Sequence, residues 1–435
     1  MPNAECQMPN GGPDRDGSRK TLLRAAWIAP MDRPPIRDGA IAFDRGVILD
    51  VGDGRRLTSL HPDAQIIDRP DCTILPGLIN AHTHLELSEF SCGAPAADFV
   101  DWLTRLIPRG PVDLHAIHQS VARSVPIGVA QCLRFGVTCV GDISRHCAVS
   151  RPLLRGGPLR VVSYGEVQAM ARRRALLNER IDLATDRQSE STFLRTAITP
   201  HAPYSVETDG YRRCLEVAKA AGLPIATHLA ETRDEGEFLE RHSGRFRELW
   251  ELIGAWDDHV PTFAGGPIRF AAALGLLEYP RTLLAHVNYC DDSELELLAR
   301  GHASVVYCPR THVYFQHPPH RWRQMLARGM NVAVGTDSCA SSPDLNLVDE
   351  LRLLRRIAPD FPAFELWKMA TVNAAQALDM QAHIGALQPG LAADWVAFKS
   401  STGEPLEEIL NSAAPAANVW IGGRQIDPAR AKPSG

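Results

Sequence analysis

Two hydrophobic textures succeed one another along the 435-residue chain. From about residue 20 to 71, short apolar runs at 22–28, 39–43 and 46–52 are separated by turn residues. Runs of that length, bounded by Gly, Pro and Asp, predict strands of a small β unit. The texture returns at 393–398 and 418–424, so both chain ends are expected to combine in one β-sandwich, discontinuous in sequence. In between, short apolar runs alternate with longer amphipathic segments. The runs at 73–80, 137–142, 160–166, 195–199, 224–227, 282–285, 303–307 and 331–335 read as strands. Segments 210–221, 291–300 and 345–357 carry helical periodicity. Strands separated by helices predict βαβ units and a parallel sheet. The expected fold class is therefore α/β: a (β/α)8 barrel over 73–378, with the β-sandwich made from 20–72 and 379–435. Residues 1–19, polar and rich in Gly, Pro and Asp, read as a disordered leader.

Composition narrows the function classes. Hydrophobic content of 45% with 22% charged residues suits an ordinary globular protein. The formal net charge of −5 argues against a nucleic-acid partner, because phosphate binding relies on Lys and Arg. The short basic pieces Arg151-Pro-Leu-Leu-Arg155 and Arg172-Arg-Arg174 are expected on solvated surface. No apolar stretch approaches the roughly 20 residues of a membrane span, and the N-terminus lacks a signal-peptide core. The expected setting is cytoplasmic, with a small-molecule substrate and a homodimer as the assembly allowed for. Ten scattered cysteines without a Cys-x-x-Cys pair read as buried reduced thiols.

The candidate chemistry lies at the strand ends, where (β/α)8 barrels place their sites. The first strand runs into His82-Thr-His84. Side chains alternate along a strand, so this pair aims both imidazoles the same way. Later strands end at Asp142, Glu166, His201, His228-Leu-Ala-Glu231, His286, Cys308-Pro-Arg310 and Thr336-Asp337. His82 and His84 are expected to be metal ligands, with His228 and Asp337 completing the set. Asp337 follows an apolar strand, where an uncompensated aspartate would be costly. His286 belongs in the site, with ligand and non-ligand roles both open. The carboxylates following Glu231, namely Glu235, Glu237 and Glu240, are expected on the surface of the next helix.

The segments Pro76-Gly-Leu-Ile-Asn-Ala-His82-Thr-His84, His228-Leu-Ala-Glu231, His286-Val287 and Gly335-Thr-Asp337 resemble the signature of the amidohydrolase superfamily. More narrowly they resemble its cytosine deaminase/chlorohydrolase branch, which includes adenosine-type and S-adenosylhomocysteine deaminases. Binuclear members carry a lysine at the fourth strand. Here that strand reads Ala197-Ile-Thr-Pro-His201 and has none. The resemblance therefore implies one divalent metal held by His82, His84, His228 and Asp337, with zinc first and iron second. It also implies Glu231 as proton shuttle, His286 as the group that holds the attacking water, and Asp337 as acceptor of that water's proton. Displacement of chloride would not require a shuttle, so Glu231 favours loss of ammonia.

For the substrate, His201 resembles the fourth-strand histidine that nucleoside deaminases of this branch direct at their ligand. Glu86 is expected to accept hydrogen bonds from ribose hydroxyls, and Trp102 to cover the base or pack a helix. The runs His82-Thr-His-Leu-Glu-Leu-Ser88, Pro200-His-Ala-Pro-Tyr-Ser205 and Pro309-Arg-Thr-His-Val-Tyr-Phe315 resemble the aminodeoxyfutalosine deaminase group. That group deaminates an adenine nucleoside carrying a benzoate, for which Arg310 would be the partner. Deaminases of S-adenosylhomocysteine, methylthioadenosine, adenosine or guanine, and hydrolases of other C–N or C–halogen bonds, are the alternatives. A barrel without catalysis is a third class, disfavoured because every expected ligand position is filled.

Overall fold

The computed structural model describes residues 20–96, 98–107, 113–401 and 403–427. The expected leader, and the last eight residues of the segment assigned to the small domain, lie outside them. Eight strands form one parallel sheet in chain order: Leu78–Thr83, Val137–Ser144, Arg160–Val167, Leu194–Pro200, Ile225–Leu229, Thr282–His286, Ser304–Tyr307 and Val332–Val334. Helices connect them, giving the expected (β/α)8 barrel. All six residues of the first strand are buried, as expected for a barrel strand covered on both faces.

The ring closes at the candidate site itself. Thr83 and Asp337 form a parallel bridge between the first strand and the end of the eighth. The backbone N–H groups of Thr336 and Asp337 both donate to the His82 carbonyl at 3.1 Å. Gly335 permits this approach, because a Cβ there would stand 2.7 Å from the same carbonyl oxygen.

The two chain ends meet in a separate seven-stranded mixed sheet. Thr21–Ile28 pairs antiparallel with Ile36–Asp44 and parallel with Gln65–Pro76, and the latter pairs antiparallel with Trp395–Lys399. The 12-residue strand Gln65–Pro76 departs from the sequence expectation. Its first half is polar and contains Pro70, which masks it as a strand. The run at 73–76 completes this sheet, and the first barrel strand begins only at Leu78. Arg160, at the start of the third barrel strand, bonds Asp394 at 2.5 Å and ties the barrel to the C-terminal strands.

Arg151 corrects another expectation. It is 3% exposed, and its guanidinium donates to Ser163 Oγ and to the carbonyls of Ser163, Leu183, Ala184, Asp186 and Ala197. It fills the donor-poor ends of buried backbone and has no surface role. No helix among the described residues is long and apolar enough to cross a membrane.

Candidate active site

Four strand ends supply the central cluster. His82 and His84 leave the first strand, His228 the fifth with Glu231 just beyond it, His286 the sixth, and Asp337 the eighth. The donor atoms of His82, His84 and His228 lie within 4.8 Å of one another, and so do those of Glu231, His286 and Asp337. Asp337 Oδ1 is 3.4 Å from His84 Nε2 and 3.8 Å from His82 Nε2, while His228 Nε2 is 3.3 Å from His84 Nε2.

Two tests bear on whether a cation fits. His82 is fully buried, yet neither of its ring nitrogens has a hydrogen-bond partner in the protein. Buried polar atoms are rarely left so. Burial also pushes the imidazoles of His82 and His228 well below their usual range, and the neighbouring histidines add to this. They are therefore neutral, with lone pairs to offer. His228 Nδ1 lies 2.9 Å from the His201 carbonyl, so Nδ1 carries the proton and Nε2 faces the cluster. Asp337 Oδ2 accepts from Ser341 Oγ at 2.9 Å, which orients the other oxygen inward. Three imidazole nitrogens and a carboxylate oxygen converging in this way could hold zinc or a similar divalent ion.

Beside the cluster, Glu231 Oε1 is 3.3 Å from His286 Nε2, and Glu231 Oε2 accepts from the Tyr204 hydroxyl at 3.3 Å. Burial raises the Glu231 carboxyl well above the usual range, and the charges on Asp337 and Glu235 raise it further. Such surroundings favour the protonated form. His286 is buried and held neutral by the same desolvation. The backbone here is unusual. Ala230, His286, Val287 and Asp337 all have left-handed φ values, between 50° and 72°, a conformation that non-glycine residues adopt at functional sites when their surroundings impose it.

The flanking residues divide. His201 sits against the cluster, with its ring 4.9 Å from that of His228 and Nδ1 2.7 Å from Ser205 Oγ. Burial pushes it down to about 3. Glu86 is buried and accepts from Ser144 Oγ and from the His146 N–H at 2.8 Å. Burial pushes its carboxyl up to about 7 against those bonds. Trp102 is half-buried, donates to the Ala340 carbonyl at 3.1 Å, and meets Phe315 edge to face at 5.0 Å. It lines a cavity of about 290 Å³ with Phe90, Tyr314 and Ala340 among its walls.

Arg310 is a correction. Its Nε donates to Glu350 at 2.6 Å, Nη1 to Asp344 at 2.8 Å, and Nη2 to the carbonyls of Asp344 and Asn346. With its nitrogens committed to the protein's own acceptors, it has no free fork for a substrate carboxylate. Its position after the seventh strand suggested a site role; only the fold brings the helix Leu347–Ile357, which carries Glu350, against it.

Cations without such partners stand elsewhere. Among the described residues, Arg145, Arg173 and Arg180 form no ion pair with a carboxylate, although Arg180 donates to the Gln168 carbonyl and Arg173 lies over the Trp250 ring. The Arg145 charge bears on Arg173, Arg180, His201 and Glu86 together. Burial and this mutual repulsion depress Arg173 and Arg180. Glu166, 3.9 Å from His201, is a further neighbour, and Glu235, expected on the surface of its helix, is instead fully buried behind Glu231. Strand-end position marked Glu166 without giving it a role. Glu235 looks like any first-turn acid of an exposed helix.

Comparison with known proteins agrees with this geometry. The amidohydrolase family profile matches residues 73–426. A 5-methylthioadenosine/S-adenosylhomocysteine deaminase of Nitratidesulfovibrio vulgaris is 30% identical over 394 residues, spanning 86% of this chain and 82% of that protein. Among solved structures, the aminofutalosine deaminase of Helicobacter pylori, in complex with methylthio-coformycin, superimposes with a TM-score of 0.82 at 24% identity. That match covers 94% of this chain and all of that one (100%). An adenosine deaminase from Xanthomonas campestris with bound zinc gives a TM-score of 0.77 at 24% identity over 94% and 92% of the two chains. The matched profile spans the whole barrel, including every strand end that feeds the cluster, and this chain belongs to the amidohydrolase family.

Proposed function

We propose that the protein is a metal-dependent hydrolytic deaminase that releases ammonia from an adenine nucleoside. The observation that carries this reading is the pairing of the buried Glu231 carboxyl with His286, 3.3 Å away, at the edge of the three-histidine and aspartate cluster. The deaminase relatives support it.

His82, His84, His228 and Asp337 would hold one divalent metal, zinc first. When bound, the metal supplies Lewis acidity that brings the pKa of water to about 7. Glu231 gives its proton to the ring nitrogen next to the aminated carbon, making that carbon a better electrophile. It then takes the proton of the attacking water and passes it to the departing amine, so that ammonia leaves neutral. His286, held neutral by burial, fixes the water through Nε2. Asp337 would accept that water's remaining proton as the new C–O bond becomes a carbonyl, and this proton restores the acid form of Glu231. Tyr204 holds the second Glu231 oxygen, which keeps the shuttle directed at the substrate.

His201, Glu86 and Trp102 are the proposed contacts to the nucleoside. The preferred substrate is 6-amino-6-deoxyfutalosine. The unpaired Arg145, Arg173 and Arg180 support a substrate with an anionic tail and take the part first assigned to Arg310. S-adenosylhomocysteine satisfies the same arginines, while methylthioadenosine and adenosine leave them unused.

The test is ammonia release from a panel of these four nucleosides by metal-replete protein, with Glu231→Gln as control. The variant should keep its metal and lose about 10²- to 10⁴-fold in kcat. Absence of ammonia release across the panel by wild-type protein carrying its metal would refute the reading.

A further inference from the structure

We propose that Glu235 is a positioning residue that clamps the turn Ala230–Glu231 and thereby sets the aim of the Glu231 carboxyl. The proposal rests on the deaminase reading of Glu231. Glu235 lies in the first turn of the helix Arg233–Arg241, where acidic residues are usually solvated and favoured by the helix dipole. Here it is 0% exposed and folds back out of the helix. One carboxylate oxygen accepts the Ala230 N–H at 2.9 Å and the other the Glu231 N–H at 3.0 Å.

Those two amides need such a partner. Ala230 has φ +50°, so the chain at this point leaves the strand in a conformation that alanine disfavours. The strand ladder therefore cannot take up both N–H groups. The opposite side of the turn is held separately: the Ala230 carbonyl accepts from the Tyr289 N–H at 3.2 Å, and the Glu231 carbonyl from Asn288 Nδ2 at 3.0 Å. Glu235 supplies the remaining side. Together these bonds leave the Glu231 backbone a single orientation, in which its side chain faces His286 and Tyr204. Displacement of a reacting group by about 1 Å can cost about 10²-fold in rate, so the clamp bears on turnover while making no contact with substrate.

Glu235→Gln is isosteric and removes one of the two acceptors, because a carboxamide NH2 then faces an N–H. Glu235→Asp keeps the carboxyl but retracts it by one methylene, and serves as the second variant. Each is measured as metal-loaded full-length protein for metal content, kcat and KM on the panel, and amide hydrogen exchange of the peptide 229–235. The expected result for Glu235→Gln is faster exchange confined to that peptide and a kcat lower by about 10- to 100-fold. KM should stay within about threefold and metal content at the wild-type level. Glu231→Gln, which leaves the clamp intact, should exchange like wild type. Unchanged exchange in both Glu235 variants overturns the proposal, as does a fall in kcat that merely tracks lost metal. Should wild-type protein release no ammonia from any nucleoside, the deaminase reading fails separately, and exchange alone still decides whether the clamp exists.

Discussion

Replacing Arg310 by Met separates a structural role from a substrate-binding one. In the wild type, Glu350 is fully buried, and its two oxygens accept from Arg310 Nε at 2.6 Å and from the Arg310 N–H at 2.8 Å. Arg310 itself is nearly enclosed, with 13% of its side chain exposed, so solvent screens the pair little. Methionine fills much of the same volume but leaves Glu350 and Asp344 without their cation. Breaking a buried pair by removing one partner costs about 3–5 kcal/mol. With an m-value of about 4 kcal/mol/M in urea, that is a fall of roughly 1 M in the unfolding midpoint.

The pH dependence has a definite sign. Burial already raises the Glu350 carboxyl, and Arg310 is the chief influence holding it down. Without Arg310 it rises further. A carboxyl raised in the folded state favours folding at low pH, and this contribution is lost as pH climbs from the unfolded value toward the folded one. The gap between variant and wild type should therefore widen as pH rises above the usual carboxylate range. KM for anionic and neutral nucleosides should change in parallel or not at all. A variant within about 1 kcal/mol of wild type that selectively loses its anionic substrate would refute the structural assignment of Arg310.

Two further outcomes follow from the site. Removal of metal by a chelator should lower the melting temperature, with recovery on adding zinc, because saturation at about 100 times Kd contributes about 2.7 kcal/mol; an unchanged melting curve would sink the four-ligand assignment. Arg173→Ser or Arg180→Ser should raise KM for the nucleoside with a carboxylate tail by about 10-fold or more while leaving adenosine unaffected, since each removes one charge-assisted contact; equal effects on both substrates would exclude these arginines from tail recognition.

Much of the site was legible in the chain because a barrel converts sequence order into a ring. Strand ends face one rim, so His82, His84, His228, His286 and Asp337 could be grouped from periodicity alone before any contact was known. What stayed hidden concerns partners brought in by helices. Arg310 and Glu350 are 40 residues apart, and only packing of the helix Leu347–Ile357 makes the arginine structural. Arg151 looked like a surface cation until the fold enclosed it among carbonyl groups. The strand Gln65–Pro76 was obscured by its polar first half, since pairing with Thr21–Ile28 on one side and Trp395–Lys399 on the other depends on distant segments.

Sequence by itself determined the barrel, the union of the two chain ends and the identities of the central histidines and carboxylates. Each of these follows from local periodicity and residue type, which act over a few neighbours. Tertiary structure alone decided which charges are spent on the protein and which remain for a ligand. Hydrogen-bond partners and desolvation belong to three-dimensional neighbourhoods, and so one arginine, Arg310, is bound by carboxylates while Arg145 has no carboxylate partner among the described residues, and one buried glutamate, Glu235, accepts backbone N–H groups while another, Glu231, faces His286 and Tyr204.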